Sequence, residues 1–353
     1  MRDMKKHSLF ILFCILVGSS AHALSEIEIG GELDANFTLW NLPTGQRGDS
    51  AFEMPSLFLD LDAPLKDDNL LVFRLEGSEE QKTTNERFTV KMREAYLDLV
   101  SIFQGMHALR LGLIPQVWQE AQYESYSYRF LGREAWSITE KWNYLSPSDL
   151  GVSFMSQMPA DLGEYAITLA NGEGVKEKEQ GPHKEVSLFG RFVFNENWGL
   201  NLGYVRGNYE KYGEDEGLKE RVQALISYQS ENAGAGLELL YAQDAADAFA
   251  DYNLAEGVDL SGLAGSSVRG QGASLFTTFK TGPLAELMLR YDYLNAAIGE
   301  SGKDMQTALI SLSYLVSSDI RMALMTDYTW YAAEYGPGVR DQSKIALASQ
   351  VLF

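Results

Sequence analysis

The alternation of short and long connections restricts this chain more than any other feature of its sequence. From Glu26 onward, stretch after stretch alternates apolar and polar residues, the period of a strand with each face in its own environment. About sixteen such strands are expected near 26–40, 51–62, 69–79, 86–99, 107–114, 149–157, 164–171, 184–195, 198–208, 219–230, 232–243, 270–281, 284–295, 304–316, 319–331 and 341–353. Tight turns such as Asn195-Glu196-Asn197, Ser230-Glu231-Asn232, Gly282-Pro283 and Ser317-Ser318-Asp319 join some of them. Long segments joining others include 41–50, 115–148, 172–183, 209–218, 244–269, 296–303 and 332–340. A closed up-and-down barrel produces this pattern when one rim carries turns and the other carries loops. A soluble sandwich or propeller has no reason to keep it. The expected fold is therefore all-β: a transmembrane, antiparallel up-and-down barrel over 24–353, its third external loop long and folded inward.

The last stretch, DQSKIALASQVLF, supports closure. Ile345, Leu347, Val351 and Phe353 alternate with Lys344, Ala346, Ala348 and Gln350. The strand ends on an aromatic residue, as closing strands of bacterial outer-membrane barrels do, and Phe353 is expected to act in assembly through the barrel-insertion machinery. Pairing this strand with 26–40 would satisfy both sheet edges, which lipid cannot do. Within strands the faces separate cleanly. Leu287, Leu289, Tyr291 and Tyr293 oppose Glu286, Arg290 and Asp292, and Leu109, Leu111 and Leu113 oppose Arg110 and Gly112. Charges on one face imply water or counter-charges there, because an unpaired charge in lipid costs several kcal/mol. Trp40, Trp198, Tyr204, Tyr228, Tyr241 and Trp330 near strand ends read as headgroup-level girdles.

At the amino end, Arg2, Lys5 and Lys6 precede the apolar run Leu9–Val17, and Ala21-His22-Ala23 offers a cleavage site. Residues 1–23 therefore read as a secretory signal peptide. The only cysteine, Cys14, leaves with it, so no disulfide or thiolate site is expected. The formal net charge of -20 argues against nucleic-acid binding, which needs basic patches.

The stretch REAYLDLVSIFQGMHALRLGLIPQVW, residues 93–118, resembles the phosphate-selective porin O and P family. Ala95-Tyr96-Leu97-Asp98, Gly112, Pro115 and Trp118 carry the likeness, with weaker matches at Phe52–Leu61, Leu71–Gly77 and Tyr165–Gly174. The amino-terminal half is covered. The resemblance implies a sixteen-stranded, trimeric diffusion channel. That family owes phosphate selectivity to lumen arginines and lysines, and this acidic chain shows no obvious ladder of them. The P-E-F signature of general enterobacterial porins is also absent.

The segment 115–148 is too long for an ordinary connection and too aromatic for disorder. It follows the fifth strand, where a loop narrows the pore of sixteen-stranded porins. The expected constriction sets Glu120, Glu124 and Glu134 against Arg110, Arg129 and Arg133, so that opposed charges orient polar solutes. Trp118, Tyr123, Tyr126, Tyr128 and Trp136 are expected to line this loop, either as a stacking track for sugars or as packing against the wall. The competing reading is an external loop with solvated charges. Two acidic segments, Glu210–Glu216 and Asp244–Asp259, read as solvated, with divalent ions bridging to lipopolysaccharide as the alternative; D-A-A-D-A-F-A-D in the second does not match the EF-hand pattern. His107 and His183 lack metal-ligand or catalytic spacing, so neither metal, cofactor nor enzymatic activity is expected. The function that fits is passive diffusion of small hydrophilic solutes or ions across the bacterial outer membrane, with weak cation preference. An anion or phosphate channel and a plugged structural or adhesive barrel are the alternatives. The expected partners are outer-membrane lipid and lipopolysaccharide, small polar solutes and two further copies of the chain.

Overall fold

Sixteen strands hydrogen-bond in chain order and the last returns to the first, closing the barrel. They are β1 (Glu28–Asn41), β2 (Ser50–Pro64), β3 (Leu70–Glu79), β4 (Phe88–Ile102), β5 (His107–Pro115), β6 (Ser148–Gln157), β7 (Gly163–Ala170) and β8 (Glu185–Val193). The second half comprises β9 (Trp198–Asn208), β10 (Leu218–Gln229), β11 (Ala233–Ala245), β12 (Ser267–Lys280), β13 (Ala285–Asn295), β14 (Asp304–Leu315), β15 (Ile320–Tyr331) and β16 (Gln342–Leu352). The computed structural model describes residues 27–41, 50–79, 88–102, 107–175, 182–209 and 217–353. The signal peptide expected at 1–23 and the acidic residues Glu210, Glu214, Asp215 and Glu216 lie outside the described residues.

Every neighbouring pair is antiparallel, and β1 meets β16 in a register that sets Leu33 against Val351 and Leu39 against Ile345. Phe353 extends the seam, its amide donating to the Gly31 carbonyl at 3.1 Å and its carbonyl accepting from the Gly31 amide at 2.8 Å. A methyl group on Gly31 would stand 2.5 Å from the Phe353 ring, so the missing side chain makes room for the aromatic.

The alternation inferred from sequence becomes an outer face of Leu239, Leu275, Ile310, Leu312, Leu324, Ile345 and Leu347, all exposed on the isolated barrel. Trp198 and Tyr228 lie outward together at the short-turn rim, ring centroids 5.0 Å apart. Tyr328 and Trp330 do the same toward the long-loop rim, 5.5 Å apart. Trp40 departs from the girdle expectation. It pairs across the seam with inward-facing Lys344, whose Nζ lies 5.4 Å from its ring.

Two irregularities shape the inner wall. The β3–β4 register shifts between Arg74 and Leu75, leaving Arg93 as an extra residue, so both Arg93 and Glu94 turn inward. The β1–β2 register shifts between Asp34 and Asn36.

Candidate functional site

Residues 116–147, between β5 and β6, lie inside the barrel. The segment opens with helix α1 (Val117–Ser125), which buries Val117, Trp118, Ala121 and Gln122 on one face and turns Glu120 and Glu124 away. That i, i+3, i+4 spacing was present in a stretch read above as loop. The helix descends to the short-turn rim, where the Ser125 carbonyl accepts from Gln229 at 3.1 Å and Tyr128 donates to Glu286. The chain then crosses the lumen, its Leu131 carbonyl accepting from Asn36 at 3.2 Å. It climbs back through helix α2 (Ile138–Lys141), capped by Ser137, to the long-loop rim, where the Trp142 carbonyl accepts from the Ala255 amide at 3.0 Å.

The two sides of the lumen differ. Toward β7–β16, Trp118, Tyr126, Tyr128, Phe130 and Leu131 pack into an apolar cluster with inward Val205, Leu225, Phe276, Met288, Leu309 and Met325. Wall glycines permit the approach: a methyl on Gly203 would stand 2.9 Å from Trp118, and one on Gly272 2.8 Å from Trp142. Trp118, Tyr126 and Tyr128 are almost solvent-free, so these rings pack against the wall. Tyr123 and Trp136 stay partly exposed. Charge locks the same side. Lys141 donates to Asp292 at 2.9 Å, Gln122 donates to Glu238 at 2.5 Å, and Arg290 donates to the Ala135 and Trp136 carbonyls at 2.9 and 2.7 Å.

Toward β2–β5 the contacts are ionic. Arg93 and Arg129 alternate with Glu76 and Glu140 in a closed quartet: Arg93–Glu76 2.9 Å, Arg93–Glu140 3.1 Å, Arg129–Glu140 3.0 Å and Arg129–Glu76 3.6 Å. Glu76 and Arg93 come from the wall, Arg129 and Glu140 from the inserted segment, and all four side chains are nearly buried. Tyr123 donates a further hydrogen bond to Glu140, and Arg129 stacks 4.3 Å from the Trp136 ring. Burial by itself would raise the Glu140 carboxyl, but the guanidiniums of Arg129 and Arg93 outweigh it and hold that carboxyl well below the usual carboxylate range.

On the short-turn side of the quartet lies a partly open charged wall. Arg74, 42% exposed, bonds Asp60 at 2.5 Å and Glu94 at 3.3 Å. Arg110 stacks 4.6 Å from the Tyr96 ring, grips Glu120 at 3.0 and 3.1 Å and reaches Asp98 at 3.3 Å. On the long-loop side, Lys91 is 36% exposed and touches Glu76 at 3.2 Å. The residues that carried the family resemblance meet here. Gly112 lies opposite Tyr96, where a side chain would strike the Ala95 carbonyl at 2.4 Å, and its φ of +131° suits glycine alone.

The six expected constriction residues separate into several groups. Arg110 and Glu120 pair directly. Glu124 binds Arg191 at 2.6 Å, Arg133 binds Glu256, and Glu134 binds Lys344. Arg129 enters the buried quartet. Sequence reasoning missed Glu76, Arg93, Glu140, Arg74, Asp60 and Asp98. The available signal was that strands 69–79 and 86–99 carry charges at inward positions on both sides of the seam.

This architecture is that of the sixteen-stranded outer-membrane porins. The chain is similar to the trimer form of OmpT of Vibrio cholerae at 12% identity, over 93% of this chain and 99% of that one, with a TM-score of 0.60. An anion-selective porin from Comamonas acidovorans aligns at 14% identity, over 93% and 99% of the two chains, with a TM-score of 0.63. OprB of Pseudomonas putida aligns at 11% identity, over 96% and 97%, also with a TM-score of 0.63. No family model matches the chain, and no curated protein matches it.

Proposed function

We propose that this protein is an outer-membrane channel for passive diffusion of small hydrophilic solutes or ions, weakly cation-preferring and without enzymatic activity. The observation that carries the reading is the asymmetric lumen. One side is sealed by apolar packing, and the β2–β5 side keeps charged groups that reach solvent above and below a single buried layer. A passage along that wall would be narrowest at the Arg93–Glu76–Arg129–Glu140 quartet. Below it, inward Glu28, Asp60, Asp62, Glu94, Asp98 and Glu120 outnumber Arg74 and Arg110, so the local field favours cations. The phosphate selectivity implied by the family resemblance finds no basic wall here.

Planar-bilayer recording tests the reading. Purified protein should give small ohmic steps, with a reversal potential in a KCl gradient on the cation side. Silence from correctly folded protein would favour the plugged barrel instead, a second reading supported by the nearly solvent-free inward side chain on every strand. A strong anion preference would overturn the selectivity.

Acidification offers a separate check. Burial pushes the Glu120 carboxyl above its usual range, against the opposing pull of Arg110. A raised carboxyl binds its proton more readily in the folded state, so it is neutralised at a higher pH than an ordinary glutamate, and the strain of its burial is then relieved. Cation preference should drop at mildly acidic pH in the wild type. In Glu120→Gln it should start lower than wild type at neutral pH and lose that step.

The same reading implies cleavage after Ala23, insertion by the barrel-assembly machinery with Phe353 as part of the signal, assembly as a homotrimer, and contact with outer-membrane lipid and lipopolysaccharide. Detergent fractionation and sizing of the folded protein test localisation and stoichiometry.

A further inference from the structure

Among the described residues, the strand lysines and arginines point into the barrel with two exceptions, Arg206 on β9 and Arg269 on β12. Their chain neighbours Val205 and Val268 belong to the interior clusters, while Gly207 and Gly270 lie against inward Glu185 and against Tyr144. The two arginines therefore face outward, and both are exposed. They also share one row of the sheet: Arg206 pairs with Glu220, Glu220 with Gln243, and Gln243 with Arg269. Three strand spacings separate them, about 14 Å.

The rows beneath this one change character in order. Tyr204, Val222, Tyr241 and Gln271 come next, then Leu202, Ala224, Leu239 and Ala273, then Leu200, Ile226, Leu237 and Leu275. A charged row thus tops an aromatic-containing row and two aliphatic ones, at the rim that carries the long loops. Glu220 is engaged by the Tyr204 hydroxyl at 2.7 Å, and Arg269 makes no ion pair among the described residues. Solubility does not explain two outward arginines on a chain of net charge -20. A guanidinium costs little at the headgroup level, unlike at mid-bilayer, and its fork of N–H donors matches phosphate.

We propose that the outer face of β9–β12 holds a phosphorylated glycolipid of the outer leaflet, with phosphates at Arg206 and Arg269. Its sugars lie level with Tyr204 and Tyr241, and its acyl chains run over Leu202, Leu239 and Leu275. The proposal rests on the outer-membrane reading for the identity of the leaflet, and not on the barrel conducting.

The test is native mass spectrometry of the full, folded protein in detergent, titrated with diphosphoryl lipid A, its dephosphorylated form, phosphatidylglycerol and phosphatidylcholine. Diphosphoryl lipid A should bind best. Arg206→Gln with Arg269→Gln should weaken it at least about tenfold, with each single change intermediate. Glu220→Gln, which removes the carboxylate between them, should tighten it. Arg206→Lys with Arg269→Lys should bind between wild type and the glutamine pair, and each single glutamine change serves if that pair fails to fold. Equal binding of the dephosphorylated lipid, phosphatidylglycerol matching lipid A, or unchanged affinity in the glutamine pair would overturn the proposal. Bilayer conductance of the glutamine pair should equal wild type, so a loss of lipid binding and a failure of the channel reading are read separately.

Discussion

Glu140→Gln is expected to raise single-channel conductance and lower the unfolding midpoint in the same protein. Glu140 is the carboxylate through which both Arg93 of the wall and Arg129 of the inserted segment are neutralised, at 3.1 and 3.0 Å. An amide keeps the volume but removes the charge, leaving Glu76 to serve two buried guanidiniums. Breaking one partner of a buried charge group costs about 3–5 kcal/mol, because the remaining charges stay uncompensated. The apolar side of the segment keeps its packing, so the barrel persists while the contact with β3–β4 loosens. Conductance then rises because that contact is the narrowest part of the proposed passage. Bilayer recording and thermal unfolding of the folded protein measure the two effects. A lower midpoint with unchanged conductance would place the passage elsewhere. Acid does not imitate the substitution. The Glu140 carboxyl is held well below the usual carboxylate range, so its contribution is present above that range and is lost only as pH falls through its depressed folded value. Wild-type conductance should therefore show no quartet opening at a pH near the ordinary glutamate value of about 4.3.

Deleting Phe353 should reduce the yield of inserted barrel far more than it changes the conductance of molecules that do insert. The residue exchanges two backbone hydrogen bonds with Gly31 across the seam between the first and last strands. Losing them removes about 2 kcal/mol, at roughly 1 kcal/mol per bond, from the edge that must pair last. It also removes the ring seated over Gly31. Neither group faces the quartet or the Arg74–Arg110 wall, so an inserted channel should conduct normally. Heat-shifted gel mobility of membrane fractions reads insertion, and single-channel steps read conductance. Unchanged insertion would remove the assembly role.

The barrel was legible because its information is local. An alternating strand reports its two faces within its own ten or so residues. Turn residues mark rims, and the alternation of connection lengths reports closure. All sixteen strands appear within a few residues of the sequence reading, including the pairing of the last with the first. Trp40 shows the limit of that reading. Its position near a strand end suggested a girdle, but phase along β1 turns it inward over Lys344.

The site was legible only in part. Arg110 and Glu120 were legible as opposed charges because strand β5 and the inserted segment are consecutive, but which carboxylate meets Arg110 was set by the fold. The quartet could not. Its members lie on β3, on β4, at Arg129 of the lumen crossing and on helix α2, and Arg93 points inward only because the register slips by one residue beside it. The aromatics of 116–147 marked an ordered segment, but composition does not say whether a ring meets solvent or a wall. Here Gly203 and Gly272 admit the indoles, and the apolar inward residues of β9–β15 bury the rest.

The sequence by itself determined the barrel, its strand number, its two unlike rims and the polarity of its faces, since each follows from short-range periodicity and turn chemistry. Only the tertiary structure decided how the lumen is filled, which carboxylate neutralises which guanidinium, and where solvent still reaches the wall. Those depend on side chains far apart in the chain being brought within a few ångströms by closure of the sheet. Periodicity places a residue on a face, but the partner it meets across the lumen is set by the whole circumference.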